Sequence, residues 1–575
     1  MNLSVLMTLL ARKGTLILSI IISAFYHFQE GHLMRATILL CVSLFALTNV
    51  AVASMWSPVW WVLVLSLLLL GLAVHDAFQT KHAILRNFPL IGRARWSIES
   101  LRPYIQQYII ETETSGAPIS RMFRAIVYQR AKDSRETVPF GTQLDTYKDG
   151  YEWIGHSLSA REVDDMDEDP RVVIGGPDCK KPYSASVLNI SAMSFGSLSK
   201  NAILALNRGA AKGGFFHNTG EGGLTPYHLE NGGDIVWQIG TGYFGCRSND
   251  GGFDQKQFQE KATLDSVKMI EIKLSQGAKP GHGGILPAYK NTPEIAAIRG
   301  VEAGTQVDSP PRHKAFSTPL EMLDFIQELR ELSGYKPVGI KLALGRKSEF
   351  VAMCKAMVEK QITPDFITVD GGEGGTGAAP LEYTNSIGFP LREALAFVDD
   401  CLTGYALRDK VKIIASGKII TAFQLAKNIS LGADICNSAR GMMLALGCVQ
   451  SLSCNTNKCP TGVATQDQRL AKGLNVEDKY ERVYRFHKKT VLALMDILSS
   501  TGHVKTSELN RTHIFRRINQ CSIARYDEIF PLVKTGSFMT DDIPDRFKLH
   551  IQEANSNSFM PCSQLAEIEK ETKAV

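Results

Sequence analysis

Three cysteines near residue 450 have the types and spacing that an inorganic centre requires. Cys448, Cys454 and Cys459 follow the pattern C-x5-C-x4-C, and Pro460 comes directly after the last of them. Proline fixes φ, which suits a tight loop wrapped around a small cluster. Zinc sites usually have four ligands with paired short gaps, so this spacing favours iron–sulfur ligation. Three thiolates imply a three-iron cluster or a four-iron cluster with one open site, and the alternative is three unconnected thiols in a loop.

The segments that must position this loop alternate between short β-rich runs and helix-sized stretches. Strands separated by helical segments indicate parallel βα units, and eight of them predict an α/β fold, a (β/α)8 TIM barrel, over residues 184–502. The predicted strands are 186–191, 215–219, 269–274, 304–308, 337–343, 366–371, 411–416 and 433–438. The cysteine loop 448–459 therefore follows the eighth strand.

Small residues and a cation stand where the last three predicted strands end. Barrel enzymes place functional groups at the carboxyl ends of their strands and often bind phosphate after strands seven and eight. Backbone N–H groups can approach a phosphate closely at small residues, and an arginine can offset its charge. Ordinary βα turns would contain the same glycines. The candidate contacts with a flavin phosphate are Gly372, Gly375, Ser416, Gly417, Ala439 and Arg440.

Several separate motifs, in one order along the chain, resemble a single family. The cysteine pattern continues as C-P-x-G-V-A-T-Q. Four further motifs are SAMSFGSLS (191–199), NTGEGG (218–223), GAKPGHGG (277–284) and VDGGEGGTGAAP (369–380). Together they resemble the flavin domain of glutamate synthase. The resemblance implies a barrel that holds FMN, a [3Fe-4S] cluster on the three cysteines, and the reduction of 2-iminoglutarate, formed from 2-oxoglutarate and ammonia, to glutamate.

The resemblance also implies which residues face the flavin. Lys341, in the predicted fifth strand, would lie near flavin N1, where a cation stabilises the reduced anion. Lys273 and Gln276, on the predicted third strand, are alternatives for that position, and Gln276 is included among the flavin contacts. The residues implied to lie along the flavin ring after the first strand are Ala192, Met193 and Ser194.

The side chains implied for the substrate match the family only in part. Glu221 and Lys279 match charged residues of the active-site loops, and with Lys341 they are the predicted catalytic side chains. At Ile285 a hydrogen-bonding glutamine of the family is lost, so the identity of the substrate stays open. The positions that depart from the family pattern are His282, Ile285, Arg312 and Lys314.

Two apolar runs near the amino terminus predict a transmembrane helical hairpin. Residues 36–55 and 57–75 carry no charge, and each is about long enough to span a bilayer. Basic residues flank both sides, so both flanks and the catalytic domain are expected on the cytoplasmic face of the inner cell membrane. The earlier run 14–28 is shorter and is expected at the interface. A cleaved signal peptide is disfavoured because a second apolar run follows directly.

The rest of the chain completes the predicted organisation. The family's glutaminase domain and carboxy-terminal β-helix are expected to be missing, so ammonia would come free or from a partner. The predicted regions are a membrane anchor at 1–80, a connecting subdomain at 81–183, the barrel at 184–502, and a helical cover with a loose tail at 503–575.

The expected partners follow from charge and from weak motifs. The net charge of +5 is small and no basic run contains interleaved aromatic residues, which argues against nucleic acid. Two G-x-G-x-x-G matches fail as dinucleotide sites, since 372–377 does not open a clean helix and 240–245 lies in an aromatic loop, WQIGTGYFG. Electrons are therefore expected from a protein donor, either ferredoxin-like or a reductase subunit.

Three functions fit the sequence. The first is a membrane-tethered flavin and iron–sulfur oxidoreductase that makes glutamate. The second is the same machinery acting on another imine or 2-oxo acid, and the third is a membrane-bound electron-transfer subunit that catalyses nothing alone.

Overall fold

Eight short runs of buried residues pair side by side, all parallel, into a closed barrel. This computed structural model describes residues 31–134 and 137–562. Both faces of each strand are covered, which is why most of the runs are continuously apolar. The strands are β1 (Leu188–Ile190), β2 (His217–Asn218), β3 (Ile235–Ile239), β4 (Val267–Lys273), β5 (Val338–Leu342), β6 (Phe366–Asp370), β7 (Lys412–Ser416) and β8 (Ile435–Ser438).

One predicted strand is wrong, and the other seven are confirmed. Within the predicted run 304–308, only Val307–Asp308 is extended, and it pairs antiparallel with Ile285–Leu286 outside the barrel. The true third strand is β3, whose five residues are all buried. The second half of β3 belongs to the motif WQIGTGYFG, which the sequence alone predicts to be an aromatic loop. Lys273 and Gln276 therefore belong to the fourth strand and the loop after it, not to the third.

Helices cover the barrel and connect its strands. Their starts are fixed locally in several cases, as at Thr318 and Thr421, which form capping boxes with Glu321 and Gln424. The helices from residue 113 onward are Arg121–Ala131, Lys200–Gly213, Pro226–Leu229, Gln255–Ala262, Pro293–Arg299, Pro319–Leu332, Lys347–Lys360, Leu381–Ser386, Leu391–Gly404, Ala422–Ser430, Arg440–Ala445, Gln468–Ala471, Val476–Ser500, Tyr526–Ile529 and Asp545–Glu553. The 3-10 turns are Val163–Asp165, Ala288–Lys290, Thr506–Glu508, Arg511–His513 and Ser537–Met539.

The carboxy-terminal cover differs from the helical one that was expected. It contains a hairpin of Ile514–Asn519 and Ser522–Arg525, and the first of these strands pairs antiparallel with Glu152–Ile154. A further antiparallel pair, Arg171–Ile174 with Tyr183–Ser186, precedes the barrel. The expected tail at 563–575 lies outside the described residues. The regions before and after the barrel thus meet in one small sheet, a long-range pairing that local sequence patterns do not report.

Glu152 ties this sheet to the barrel helices. Its carboxylate accepts hydrogen bonds from Arg392 at 3.0 Å, Lys427 at 2.9 Å and Tyr526 at 2.7 Å, and it pairs with Arg516. Burial alone would raise the pKa of Glu152, but Lys427 and the other donors outweigh it and lower the pKa to about 2. Because the folded pKa lies below the unfolded value, the charged carboxylate stabilises the fold above about pH 4.3.

Glu152→Gln is expected to lower the free energy of unfolding by about 2–3 kcal/mol at pH 7, somewhat less than for a fully buried pair, because its cationic partners are partly exposed. Denaturant titration of the purified chain measures the loss. It should shrink as the pH falls from about 4.3 towards the folded pKa, where the wild-type carboxylate also becomes neutral. Glu168→Gln, at an exposed pair with Lys488, is the matched control and should change little. Equal, small effects of both variants would contradict this role for Glu152.

The unit that ends at residue 112 contains the predicted hairpin. Two helices, Gly31–Met55 and Trp60–Phe78, pack against each other across the 3-10 turn Ser57–Val59. By length and composition, Met34–Met55 and Trp60–Phe78 could each cross a membrane. The shorter elements that follow are Ala83–Asn87, Arg93–Ile105 and a π-turn at Gln106–Ile110. The run 14–28 lies outside the described residues. The unit boundary falls inside the expected connecting subdomain 81–183, because its later part belongs with the barrel.

Candidate active site

A buried charge network occupies the carboxyl end of the barrel. Lys341 of β5 is buried, and its Nζ lies 3.4 Å from Oδ2 of Asp370, the last residue of β6. Burial acts to lower the pKa of Lys341, but the carboxylates of Asp370 and Glu271 outweigh it and raise the pKa. Lys341 therefore carries a charge, as its predicted role beside a flavin requires. Glu271 of β4 is held by Asn218 at 2.8 Å, Gln238 at 2.6 Å and Thr368 at 2.7 Å.

The predicted phosphate contacts after β6 and β8 come together. Arg440, directly after β8, donates to the carbonyl of Thr376 at 2.6 Å, in the loop that follows β6. A Cβ built on Gly375 would lie 2.7 Å from Nε of Arg440, and one on Gly372 would lie 2.9 Å from the carbonyl of Gly388. A side chain at Gly372 would collide with backbone, and one at Gly375 would displace the Arg440 side chain. Ala439 directly precedes the helix Arg440–Ala445.

The ends of β1 and β7 lie next to each other. Ser416 Oγ lies 3.3 Å from Ser191 Oγ, and Gly417 has a φ of +145°, which favours glycine. After β1, Met193 N donates to the carbonyl of Asn218 at 2.9 Å, so the predicted ring contacts face the neighbouring strand end. Ala192 and Ser194 beside it are half-buried.

One cavity of 860 Å³ joins the loops after β6, β7 and β8 to the cysteines. Its volume falls in the range of small-molecule sites. Nearby, the amide nitrogen Nε2 of Gln276 is buried without a hydrogen-bond partner among the described residues, as expected for a donor that meets a ligand. Three of the predicted flavin contacts, Gly372, Gly375 and Arg440, line this cavity. The predicted contacts outside its lining are Ala192, Met193, Ser194, Gln276, Lys341, Ser416, Gly417 and Ala439. The lining includes residues 117–119, 372–379, 384–388, Lys418, Arg440, Cys448, Cys454 and Cys459.

The three cysteines all line this cavity. Cys459 is buried, whereas Cys448 and Cys454 are half-buried. Burial would raise the pKa of Cys459, but hydrogen bonds from Thr461 and nearby backbone N–H groups outweigh it and lower the pKa. Across the described ranges, no three His, Cys, Asp or Glu side chains converge on a single-ion site. Ligands of an iron–sulfur cluster bind different iron atoms, so sulfur atoms spread around a shared cavity fit a cluster.

A buried lysine that the sequence did not reveal holds the cysteine loop. Lys290 Nζ donates to the carbonyls of Cys454 at 2.8 Å, Ala464 at 3.0 Å and Ser197 at 3.1 Å. The last of these lies in the loop after β1, which carries the predicted flavin contacts. Lys290 thus fixes the cysteine loop against the flavin side of the site.

The segment just before the barrel also supports the cysteine loop. Tyr128, on the helix Arg121–Ala131, donates its hydroxyl to the carbonyl of Cys448 at 2.6 Å. Gln450 donates from Nε2 to the carbonyls of Ala117 and Ile119, both at 3.2 Å, and accepts from Ile119 N at 3.2 Å. This part of the expected connecting subdomain therefore forms one wall of the cavity.

Three buried cations surround Glu221, one of the predicted catalytic side chains. Glu221 lies 2.9 Å from Nζ of Lys273, and Lys279 and Arg299 also act on its charge. Burial would raise the pKa of Glu221, but Lys273 and the other cations outweigh it and lower the pKa. Lys279 donates to the carbonyl of Ala378 at 3.1 Å, in the lining of the large cavity, and burial lowers its pKa to about 8. This cluster is a net positive site suited to an anion.

Arg299 is the member of the cluster that sequence analysis missed. It ends the helix Pro293–Arg299 and is buried, with one NH2 group 3.4 Å from the carbonyl of Phe195. Its guanidinium lies 5.0 Å from the ring centroid of Phe244, and burial lowers its pKa to about 10. An arginine in the last turn of a helix commonly faces solvent beside the helix dipole, so sequence alone offers no signal for this burial.

The four departures from the family pattern separate into two pairs. Arg312 is exposed and Lys314 donates to the carbonyl of Asp250 at 2.8 Å, so both face away from Glu221. His282 and Ile285 stay near it, because Gly283 and Gly284 between them form a small cavity with Glu221 and Lys273. His282 lines this small cavity, whereas Ile285 follows Gly284 and pairs with Asp308.

Comparison with known proteins agrees with this geometry. A family model described as "Conserved region in glutamate synthase" matches residues 142–504. The "Glutamate synthase large subunit-like protein YerD" of Bacillus subtilis is 38% identical over 495 residues, covering 79% of this chain and 94% of that protein. An archaeal-type glutamate synthase (NADPH) of Thermotoga sp. is 31% identical over 426 residues, covering 72% and 79%. The glutamate synthase (NADPH) large chain of B. subtilis is 35% identical over 287 residues, covering 49% and 18%.

The matched region contains every barrel strand, the charged cluster around Glu221 and the three cysteines. The relatives are named as glutamate synthases or as similar to their large subunit. This chain belongs to the glutamate synthase family of oxidoreductases.

Proposed function

We propose that this protein is a membrane-anchored flavin and iron–sulfur oxidoreductase that reduces 2-iminoglutarate, formed from 2-oxoglutarate and ammonia, to glutamate. The observation that carries the proposal is the cluster of Lys273, Lys279 and Arg299 around Glu221, joined through Lys279 to the lining of the large cavity. Glu221, together with Asp308 beside Lys279, offsets only part of this charge. A substrate with two carboxylates supplies the rest.

The cofactors in this proposal are FMN and a [3Fe-4S] cluster. FMN supplies a ring that can deliver a hydride, and the cluster supplies electrons one at a time. The glycines after β6 and β7 would hold the flavin phosphate with Arg440, and the three cysteines would hold the cluster. The rims of both sites lie in one cavity, which supports transfer of electrons between them.

The chain's own residues bind and orient the substrate. Arg299 and Lys273 would pair with its carboxylates, because a buried guanidinium or ammonium beside a carboxylate gives a strong charge-assisted hydrogen bond. Glu221 holds Lys273 in place through their 2.9 Å ion pair before the substrate arrives. Lys341 holds its proton through Asp370 and Glu271, so a positive charge is present at the barrel centre throughout. These side chains are nearly all buried, which excludes water and strengthens each interaction.

A second candidate function uses the same machinery on a different imine or 2-oxo acid. Ile285 favours it, because the family's glutamine at this position would hydrogen-bond a polar substrate group and isoleucine cannot. Reoxidation of the anaerobically reduced protein by a panel of oxo acids with ammonium separates the two functions. The fastest reoxidation by 2-oxoglutarate supports the first, and a preference for a monocarboxylic oxo acid supports the second.

We expect the purified chain to carry FMN rather than FAD. The strand ends offer one phosphate-sized group of glycines, and neither G-x-G-x-x-G match provides a site for an adenine nucleotide. Mass spectrometry of the flavin released on denaturation decides the matter. Finding FAD, or no flavin in a folded preparation, would contradict this assignment.

The proposed anchor is the hairpin of Gly31–Met55 and Trp60–Phe78 in the inner cell membrane, with the barrel in the cytoplasm. Basic residues on both flanks support this orientation. Reporter fusions after residues 30 and 95 should both report the cytoplasm. A periplasmic signal at residue 95 would exclude the two-span topology, and it would place a cluster with free thiolates in an oxidising compartment. The electron donor in this proposal is a soluble or peripheral protein on the cytoplasmic side.

A further inference from the structure

Within the part of the chain that the structure describes, the helix that follows the hairpin leaves an apolar face uncovered. It runs from Arg93 to Ile105 and continues as the π-turn Gln106–Ile110, and none of its described residues is buried. Ile98, Leu101 and Ile109 expose 62%, 53% and 76% of their surface. Such a face on a soluble domain would normally pack against protein.

Five exposed residues of this helix lie on one side of it. Ala94, Ile98, Leu101, Ile105 and Tyr108 recur at intervals of four, three, four and three, so they form a single stripe. One flank of the stripe is polar and contains two arginines, whereas the exposed Trp96 and Tyr104 lie off the stripe. The polar side comprises Arg95, Glu99, Arg102 and Gln106.

The start of this helix is tied to the end of the hairpin. Asp76, in the last turn of Trp60–Phe78, is buried and accepts from Nε of Arg93 at 2.8 Å and from Leu90 N at 3.2 Å. The rings of His82 and Trp96 meet edge to face, 5.3 Å apart. The helix therefore begins where the second apolar helix ends, so a bilayer that holds the hairpin has its headgroups at this level.

We infer that Arg93–Ile110 is an interfacial helix that lies in the membrane surface, with its apolar stripe among the acyl chains and its arginines at anionic lipid headgroups. Three observations favour lipid as the occupant: the attachment through Asp76, the uncovered stripe, and the arginines beside it. The inference rests on the proposed anchor and goes beyond it. The interfacial helix would be a second contact of the chain with the membrane, next to the hairpin.

The test uses the full chain in vesicles of phosphatidylethanolamine and phosphatidylglycerol. A nitroxide-bearing amino acid replaces Ile98 or Ile105 on the stripe, Glu99 or Gln106 on the polar side, or Leu68 in the middle of the hairpin. Collision of each label with oxygen, which concentrates in lipid, is compared with collision with a water-soluble nickel chelate. Flavin absorbance identifies the variants that fold.

The stripe labels should have an oxygen-to-nickel ratio several-fold above that of the polar-side labels, with the Leu68 label also in lipid. Stripe labels that contact nickel freely while the Leu68 label remains in lipid would overturn the interfacial helix and leave the anchor standing. Stripe labels that are immobilised and shielded from both reagents would overturn it in favour of a protein partner or a second copy. A water-exposed Leu68 label would overturn the anchor and, with it, this inference.

Discussion

Cys454→Ser is expected to remove nearly all iron and acid-labile sulfide while FMN stays at or near full occupancy. The three cysteines line one cavity, and a serine hydroxyl is a poor substitute for a soft thiolate in a site with only three protein ligands. The proposed phosphate contacts come from β6, β7 and β8, which the substitution does not touch. Iron and sulfide analysis, low-temperature EPR after oxidation and flavin absorbance measure the two cofactors separately.

Cys436→Ser is the matched control. Cys436 is fully buried in β8 and does not line the cavity, so its substitution should change neither cofactor. Normal iron in the Cys454 variant, or equal losses in the two variants, would mean that other residues hold the cluster.

Arg299→Met is expected to lower kcat/KM for the oxo acid on the order of 10²-fold, mainly by raising KM, because loss of a buried charged partner of a carboxylate costs about 2–5 kcal/mol. Anaerobic reoxidation of the reduced protein by oxo acid and ammonium gives the rate. FMN and iron content should stay near wild type, because the hydrogen bond of Arg299 to the loop after β1 is long, at 3.4 Å, and the phosphate and cysteine loops are held by other residues.

Arg312→Ala is the control for a nearby positive charge. Arg312 departs from the family pattern yet is exposed, so its removal should change kcat/KM less than about twofold. An unchanged rate in the Arg299 variant, or a large loss in the Arg312 variant, would move the substrate site away from Glu221.

Local spacing accounts for what could be predicted from the sequence. The cysteine pattern and the glycines at strand ends are short-range features whose chemistry depends on a few neighbouring residues. The barrel followed from runs of apolar residues, and the one wrong strand shows the limit of that argument. β3 was missed because an aromatic turn follows it, whereas 304–308 has a single buried apolar residue, Val307.

Long-range contacts account for what could not be predicted. Lys290 and Arg299 look like ordinary surface residues at the ends of short helices, and only the tertiary fold buries them beside the cysteine loop and Glu221. Tyr128 contacts Cys448, Gln450 contacts Ala117, and Glu152–Ile154 pairs with the hairpin near residue 515. All three contacts join segments more than 300 residues apart. A single sequence contains no local signal for such pairs.

The central claim is tested most directly by a single turnover with labelled ammonium. The full chain, with FMN and cluster reduced anaerobically, is mixed with 2-oxoglutarate and 15N-ammonium, and the products are analysed by mass spectrometry. We predict one 15N-glutamate for each reduced flavin that becomes oxidised, and no oxidation when either reagent is omitted. Flavin that stays reduced in the complete mixture, or that is oxidised without forming a labelled amino acid, would contradict the account.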